Sequence, residues 1–221
     1  MKNPKKFIQK IHNSSYRNYL NRMNLKKPSI MSEAKKYSKK YWDGSRSEGY
    51  GGYKYIPGYW KGLARKFINF YKLKKNAKIL DVGCGKGFLL YEIIKLRPDL
   101  NVTGVDISYY ALKHAIGKEK IKYKLHKAQK NFKYKNKYFD LVISIGTLHN
   151  LEIFDLKKSL NEISRISKNS YIMVESYKNN LELFNLQCWA LTCESFFSQN
   201  EWKWIFKEFK YNGDYEFIFF K

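Results

Sequence analysis

Three glycines at alternate positions, in Asp81-Val-Gly83-Cys-Gly85-Lys-Gly87, follow the short apolar run Lys78-Ile-Leu-Asp-Val82. Glycines so placed let a chain turn sharply after a strand. They also leave bare backbone for a ligand to approach, where Cβ atoms would clash. Two phosphate-binding patterns fail here. The dinucleotide fingerprint needs a third small residue where Phe88 stands, counting from Gly83, and a Walker loop needs Gly-Lys-Ser/Thr at its proper spacing. Two other groups could do chemistry. His149 is the most interesting titratable side chain, since imidazole is the usual base near neutral pH, and Glu175 closes the run Tyr171-Ile-Met-Val-Glu175. Of three cysteines, Cys84 lies in the glycine turn, where a small side chain fits, and Cys188 and Cys193 lie beside Trp189 in an apolar, core-like segment. They make neither a disulfide framework nor a zinc site, so no metal is expected and a reducing cytoplasm is the default.

The elements that must position these residues are readable from residue 78 onward. Apolar runs at Lys78–Val82, Val102–Asp106, Ile121–Leu125, Phe139–Ile145 and Tyr171–Glu175 alternate with helical patterns at 87–97, 108–118, 155–168 and 180–190. A further helix starts near Ser198, with Ser198 or Asn200 as N-cap and Glu201 in its first turn, and a last strand follows Gly213. Such alternation predicts an α/β fold: a mostly parallel sheet with helices on both faces. Residues 60–73 also have helical spacing. Residues 1–40 are Lys-rich, with Phe7, Ile8, Ile11, Tyr16, Leu20 and Met23 spaced for one or two short helices that pack on the main domain or stay mobile. Residues 41–60 hold five Gly, one Pro, five Tyr and two Trp, which predicts an ordered aromatic loop rather than a linker.

The glycine turn with its preceding acid resembles motif I of class I S-adenosylmethionine-dependent methyltransferases of the type 11-like kind. The resemblance continues in order through Asp106, 19 residues after Gly87, and through Tyr138-Phe-Asp-Leu-Val-Ile-Ser-Ile-Gly-Thr-Leu-His-Asn-Leu151, which looks like the family's fourth strand and following loop. It covers about residues 60–221 and is best at 78–151. It implies a Rossmann-like domain over 61–221, preceded by a basic helical arm and aromatic lid over 1–60. It also implies S-adenosyl-L-methionine as cofactor and S-adenosyl-L-homocysteine as product. Carried over residue by residue, the cofactor would meet Asp81, Gly83, Cys84, Gly85, Gly87, Asp106, Ile107, Gln129 and Ser144. Asp106 would accept from both ribose hydroxyls, each charge-assisted bond contributing about 1.5–3 kcal/mol. Two departures stand out. Leu125-His-Lys-Ala-Gln129 lacks the acid that meets adenine in many members, leaving Gln129 or a main-chain carbonyl. The family's closing antiparallel strand pair is half visible, with Thr192–Phe197 as either the missing strand or a continued helix.

The methyl acceptor is harder to read. The segments that mark base-amino and cytosine-C5 methyltransferases are absent, Ser144-Ile-Gly-Thr standing in their place. The chain's net charge of +24 would bind polyanions, but 37 of its 43 basic residues are Lys, and the abundance of Lys, Asn, Ile, Tyr and Phe matches A/T-rich codons. Residues 1–61 nevertheless carry 15 basic residues and three acids, half the excess, so an anionic substrate also fits. Arg46, Tyr50, Tyr53, Tyr55 and Trp60 stand where related enzymes carry a lid, and Glu175 should face the same cleft. Methyl transfer needs alignment above all, and a base only if the nucleophile must lose a proton; His149 is the candidate. Trp189, Trp202 and Trp204 read as core. The expected function is methylation of O or N on a small polar molecule such as a sugar or amino acid. RNA or protein methylation through the basic arm is the alternative, and a non-catalytic binding protein of the same fold the second. No apolar run approaches the length of a membrane span, the least interrupted being the eight residues Leu141–Leu148, and no secretory signal follows the basic start.

Overall fold

The apolar runs pair edge to edge as β1 (Lys78–Val82), β2 (Asn101–Asp106), β3 (Ile121–Leu125), β4 (Phe139–Ile145), β5 (Ser167–Glu175) and β6 (Asp214–Ile218). These come from a computed structural model that describes residues 2–13, 16–24, 26–46 and 48–221; Ser47 of the aromatic loop lies outside the described residues. The order across the sheet is β3-β2-β1-β4-β5-β6, with Asp81 opposite Gly104 and Ile143. Every pairing among the described residues is parallel, including β5 with β6. The ends of β1, β2, β4 and β5 therefore share one edge, which brings Val82, Asp106, Ile145 and Glu175 together. No antiparallel pair closes the described sheet. Thr192–Phe197 is neither strand nor helix, because its polar groups are spent on the loop after β4. Glu194 and Ser195 donate their amides to the His149 carbonyl, at 3.0 and 2.9 Å, and the Ser195 hydroxyl donates to Leu151 O.

Ten helices surround the described sheet: α1 (Gln9–Asn13), α2 (Tyr19–Asn24), α3 (Lys27–Ala34), α4 (Lys39–Asp43), α5 (Lys61–Phe70), α6 (Phe88–Leu96), α7 (Tyr109–Lys113), α8 (Ile153–Ile166), α9 (Asn180–Trp189) and α10 (Gln199–Glu208). Strand periodicity sorts the core into two layers. Ile79, Leu141, Ile143 and Tyr171 meet Leu63 and Phe67 of α5 and Leu90 and Ile93 of α6, while Leu80, Val142, Ile172 and Phe217 meet Leu160 and Ile163 of α8 and Trp202 and Phe206 of α10. Each such side chain, fully buried, contributes about 1.5–3 kcal/mol. Caps set the helix starts. Ser198 and Glu201 form the expected capping box, and Ser108 and Asn179 accept from Ala111 and Glu182 amides. α7 is shorter than the predicted 108–118, ending well before Gly117 at φ +71°. No helix among the described residues is long and apolar enough to cross a membrane.

The basic arm docks instead of dangling, and buried polar groups of β6 hold it. Glu216 is fully buried and accepts the amides of Phe7, Ile8 and Gln9 at 2.6–3.1 Å, together with the Tyr171 hydroxyl at 2.6 Å. Lys5 N donates to Tyr215 O, so the arm covers the edge of β6, and Lys2 and Lys5 pair with Asp214. Four short helices replace the predicted one or two. The last, α4, takes in Tyr41, Trp42 and Asp43, which the sequence assigns to an irregular loop. Burial explains it: Tyr41 and Trp42 pack with Ile30, Ala34, Ala111 and Leu191 in a third cluster that joins the arm to α7.

Candidate functional site

At the strand ends lies a cavity of about 820 Å³, bounded on one side by the glycine turn and on the other by the arm. The Gly83 and Cys84 amides both donate to Val105 O, at 2.8 and 3.0 Å, which ties the turn to β2. Gly83 has φ +82°, and a Cβ there would lie 2.0 Å from Thr147 Oγ1; one on Gly85, at φ +54°, would lie 2.7 Å from the Trp42 ring. Both positions need bare backbone. Asp106 is locked beside them, its Oδ2 accepting from Gly85 N and its Oδ1 from Ser108 N, each at 2.8 Å. The Ile107 amide also bonds this carboxylate, which still keeps lone-pair capacity for a ligand hydroxyl. Burial pushes the Asp106 pKa up, and the amide bonds pull it back. Asp81 lines the same cavity with Oδ1 buried and without a hydrogen-bond partner among the described residues. Burial, and then the neighbouring Asp106, push its carboxyl up to about 8. Cys84, Ile107 and Gln129 also line this part, Gln129 held by Asp155 at 3.1 Å.

The opposite wall is made of side chains from distant segments. Arg46, Tyr50, Tyr53, Trp60, His149 and Glu175 all face the cavity. His149 is buried, and burial lowers its pKa to about 3, so the ring is neutral. Its Nδ1 accepts the Glu175 amide at 3.3 Å, which leaves the proton on Nε2, 3.4 Å from Glu175 Oε2. Both ring nitrogens are thus engaged with Glu175. Burial raises the Glu175 carboxyl to about 8, with Arg17 pulling the other way. The Tyr50 hydroxyl accepts the Leu191 amide at 3.0 Å, and Tyr50 and Tyr53 both pack against Tyr41.

Three residues named from the sequence lie elsewhere. Ser144 is wholly buried and donates to Val82 O at 2.9 Å, bracing β1 against β4. Gly87 is outside the lining; it caps α6 at φ +77°, where a Cβ would strike the Tyr123 hydroxyl. Tyr55 bonds Glu92 at 2.5 Å and packs on Phe88 and Tyr91. Conversely, sequence reasoning missed Trp42, Trp189, Arg17, Lys86 and Thr147, all of which line the cavity. Trp42 donates to Ser108 Oγ at 2.8 Å, and Lys86 reaches from the glycine turn to Asp43 and Tyr53 O, hooking the turn to the arm. Trp189 ends α9 at a spacing that reads as core. Arg17 and Trp42 carry no local signal, since only the folded arm brings them in, whereas Lys86 and Thr147 sit within the glycine turn and the loop after β4 that the sequence already marked.

The fit to a nucleoside-type ligand is good on the structure alone. Bare backbone at 83–85, a fixed carboxylate with spare lone pairs at 106 and an orphaned buried carboxylate oxygen at 81 would suit an adenosyl group, its ribose diol and an ammonium. The volume is typical of small-molecule sites, and the place is the crevice between β1 and β4 where the strand order reverses. Fold and site thus define an α/β protein with a nucleoside-cofactor pocket at its strand ends.

Comparison with known proteins gives the family. Residues 73–210 match the family described as "Methyltransferase domain". The chain is 36% identical over 123 residues to the ribosomal RNA small subunit methyltransferase C of Buchnera aphidicola (subsp. Acyrthosiphon pisum), covering 52% of this chain and 32% of that protein. It is 32% identical to phosphoethanolamine N-methyltransferase 3 of Arabidopsis thaliana over 40% of this chain and 19% of that one. It therefore spans a third or less of the length of these curated relatives. A solved SAM-dependent methyltransferase from Archaeoglobus fulgidus shares the fold, with a TM-score of 0.53 at 24% identity over 67% of this chain and 66% of that chain. This chain belongs to the methyltransferase-domain family; the cofactor that family implies is S-adenosyl-L-methionine, with S-adenosyl-L-homocysteine as product.

Proposed function

We propose that this protein methylates an oxygen or nitrogen of a small polar molecule held between the glycine turn and the arm, with residues 1–60 serving as the lid. The observation that carries the choice of a small acceptor is that the arm encloses the cavity. Arg22 and Lys27 are buried, their donors on the carbonyls of Arg46, Gly49, Gln187 and Cys188, and Ile8, Ile11, His12, Tyr16 and Arg17 line the cavity. Such an arm walls a chamber sized for a small ligand; its other lysines, Lys36, Lys39 and Lys40 among them, stay exposed, and the salt dependence of turnover decides whether they hold RNA.

When bound, S-adenosylmethionine supplies a methyl group made electrophilic by its sulfonium. The residues of this chain would align and desolvate the partners. Gly83 and Gly85 offer close approach, Asp106 holds the diol and Asp81 takes the amino group. Gln129 stands near the base in place of the usual acid. Tyr50, Tyr53 and Trp60 keep water out, and Arg46 faces the acceptor. For proton removal the geometry favours Glu175 over His149, because the imidazole has no nitrogen left to accept a substrate proton. A carboxyl with a pKa of about 8 suits that task near neutral pH. His149 would position it.

The test is S-adenosylhomocysteine release from the purified chain against metabolite and RNA pools at two ionic strengths. Turnover on a metabolite, little affected by salt, is expected. Turnover only on RNA, falling steeply with salt, would move the reading toward the activity printed for the Buchnera relative. Cofactor binding with no turnover on either pool would favour a non-catalytic role.

A further inference from the structure

Only six of the 43 basic residues are Arg, and three of those six converge on one ring. The guanidinium carbons of Arg17, Arg22 and Arg46 lie 5.5, 5.3 and 5.1 Å from the centre of Trp189. Arg22 also lies 5.2 Å from the Tyr50 ring, and that ring packs on Trp189 at 6.0 Å. Arg17 and Arg46, with Trp189, line the cavity, whereas Arg22 is buried behind them and holds the loop through Arg46 O and Gly49 O. Codon bias toward Lys makes this concentration of Arg hard to ascribe to composition. Arg differs from Lys in presenting a planar fork that matches an oxyanion bidentately and stacks on aromatic faces.

The charge around this cluster is unbalanced. Of the three arginines outside it, Arg97 and Arg165 have carboxylate partners in Asp99 and Glu162, and Arg65 is exposed to solvent. Among the described residues no carboxylate lies at salt-bridge distance from Arg22 or Arg46, and Lys35, also lining the cavity, is already paired with Glu194. The acid facing the cluster inside the cavity is Glu175, its carboxylate 3.4 Å from His149 Nε2. Three guanidinium groups crowded on one indole repel each other, and a bound anion would relieve that repulsion. Aromatic faces alone do not remove it.

We infer that the methyl acceptor carries an oxyanion, a carboxylate or a phosphate, which seats on Arg17 and Arg46 against Trp189 and turns its nucleophilic atom toward Glu175 and the glycine turn. The inference rests on the small-acceptor reading above and names its substrate class. A backbone phosphate of RNA would present the same chemistry, and although Arg17 and Arg46 line the cavity, Arg46 is also exposed, so turnover on RNA is an arm of the test.

Two measurements test it, with S-adenosylhomocysteine affinity as a separate control on the cofactor half. First, acetate and inorganic phosphate are titrated calorimetrically into the S-adenosylhomocysteine complex of the wild type and of Arg46→Gln and Arg17→Gln. One of the two anions should bind the wild type, which identifies carboxylate or phosphate, and each variant should lose at least tenfold in affinity. Second, amino acids are compared with their amides, and amino-alcohol phosphates with the free alcohols, as acceptors. The charged member of the pair should be preferred, and Arg46→Gln should raise its KM at least tenfold while S-adenosylhomocysteine affinity stays near wild type. Binding of neither anion, equal use of charged and neutral acceptors, or turnover confined to RNA would overturn the oxyanion site while leaving the cofactor assignment intact. Failure of the wild type to bind S-adenosylhomocysteine would instead strike the methyltransferase site itself.

Discussion

The two walls of the cavity are built in opposite ways. The wall proposed to hold the cofactor is backbone and short-range: two glycines, amides tied to Val105 O and one carboxylate fixed by Gly85 N and Ser108 N, all within 81–108. The acceptor wall is side chains and long-range: Arg17 and Arg46 from the arm, His149 after β4, Glu175 at the end of β5 and Trp189 at the end of α9. A backbone-built wall tolerates little change of shape and holds one ligand. A wall of side chains can be rebuilt without touching the sheet, so acceptor choice can vary on a constant cofactor site.

If the walls are separable, damage to one should spare the other. The largest effect is expected from Glu216→Ala, which strands three arm amides and the Tyr171 hydroxyl. Thermal or urea unfolding should show a loss of about 2–4 kcal/mol, with turnover collapsing and S-adenosylhomocysteine affinity falling far less. Gly83→Ala is the reciprocal case. Its φ of +82° and the approach to Thr147 should cost about 1–3 kcal/mol, and cofactor binding should weaken more than anion binding. Glu175→Gln sharpens the acceptor side. The wild-type kcat/KM should rise as pH climbs through about 8 and the carboxyl ionises, and the variant should lose that limb.

The smallest effect concerns Asp81. Its folded pKa, pushed up to about 8, lies above the ordinary aspartate value of 3.8, so the folded state binds the proton more tightly. The stability this contributes is complete below about pH 4 and is lost as pH rises through 8. Asp81→Asn should therefore flatten the decline in cofactor-free stability between pH 5 and 8, read from urea unfolding at each pH. S-adenosylmethionine should flatten it in the wild type, because an ammonium beside Asp81 favours the ionised form.

The same division explains what could be read from sequence. β1 and β4 have the predicted limits because central strands are near-continuous apolar runs between turn residues, and β3, at the sheet edge, because Ile121, Tyr123 and Leu125 alternate with lysines. The Ser198–Glu201 box and the Asp81–Asp106 constellation were equally visible, being local. β5 begins four residues earlier than its apolar core, since Ser167-Lys-Asn-Ser pairs with β4 despite its polarity. The arm was legible only as a stripe: nothing in residues 1–40 announces that Glu216 will cap Phe7–Gln9, or that Trp42 will lie over Gly85. Gly87 and Ser144 belong to the motif's neighbourhood yet serve packing, and Tyr55 turns to Glu92. Trp189 was missed for the opposite reason, because helical spacing beside two cysteines looks like core, although the ring is the platform for three arginines.

The central claim is that residues 83–85 and Asp106 hold the cofactor. Calorimetric titration of S-adenosylhomocysteine into wild type and Asp106→Ala, at matched folding by circular dichroism, tests it most directly. Loss of two charge-assisted bonds should weaken binding by about 2–4 kcal/mol, a factor of at least 30. Equal affinity in the two proteins would contradict the assignment.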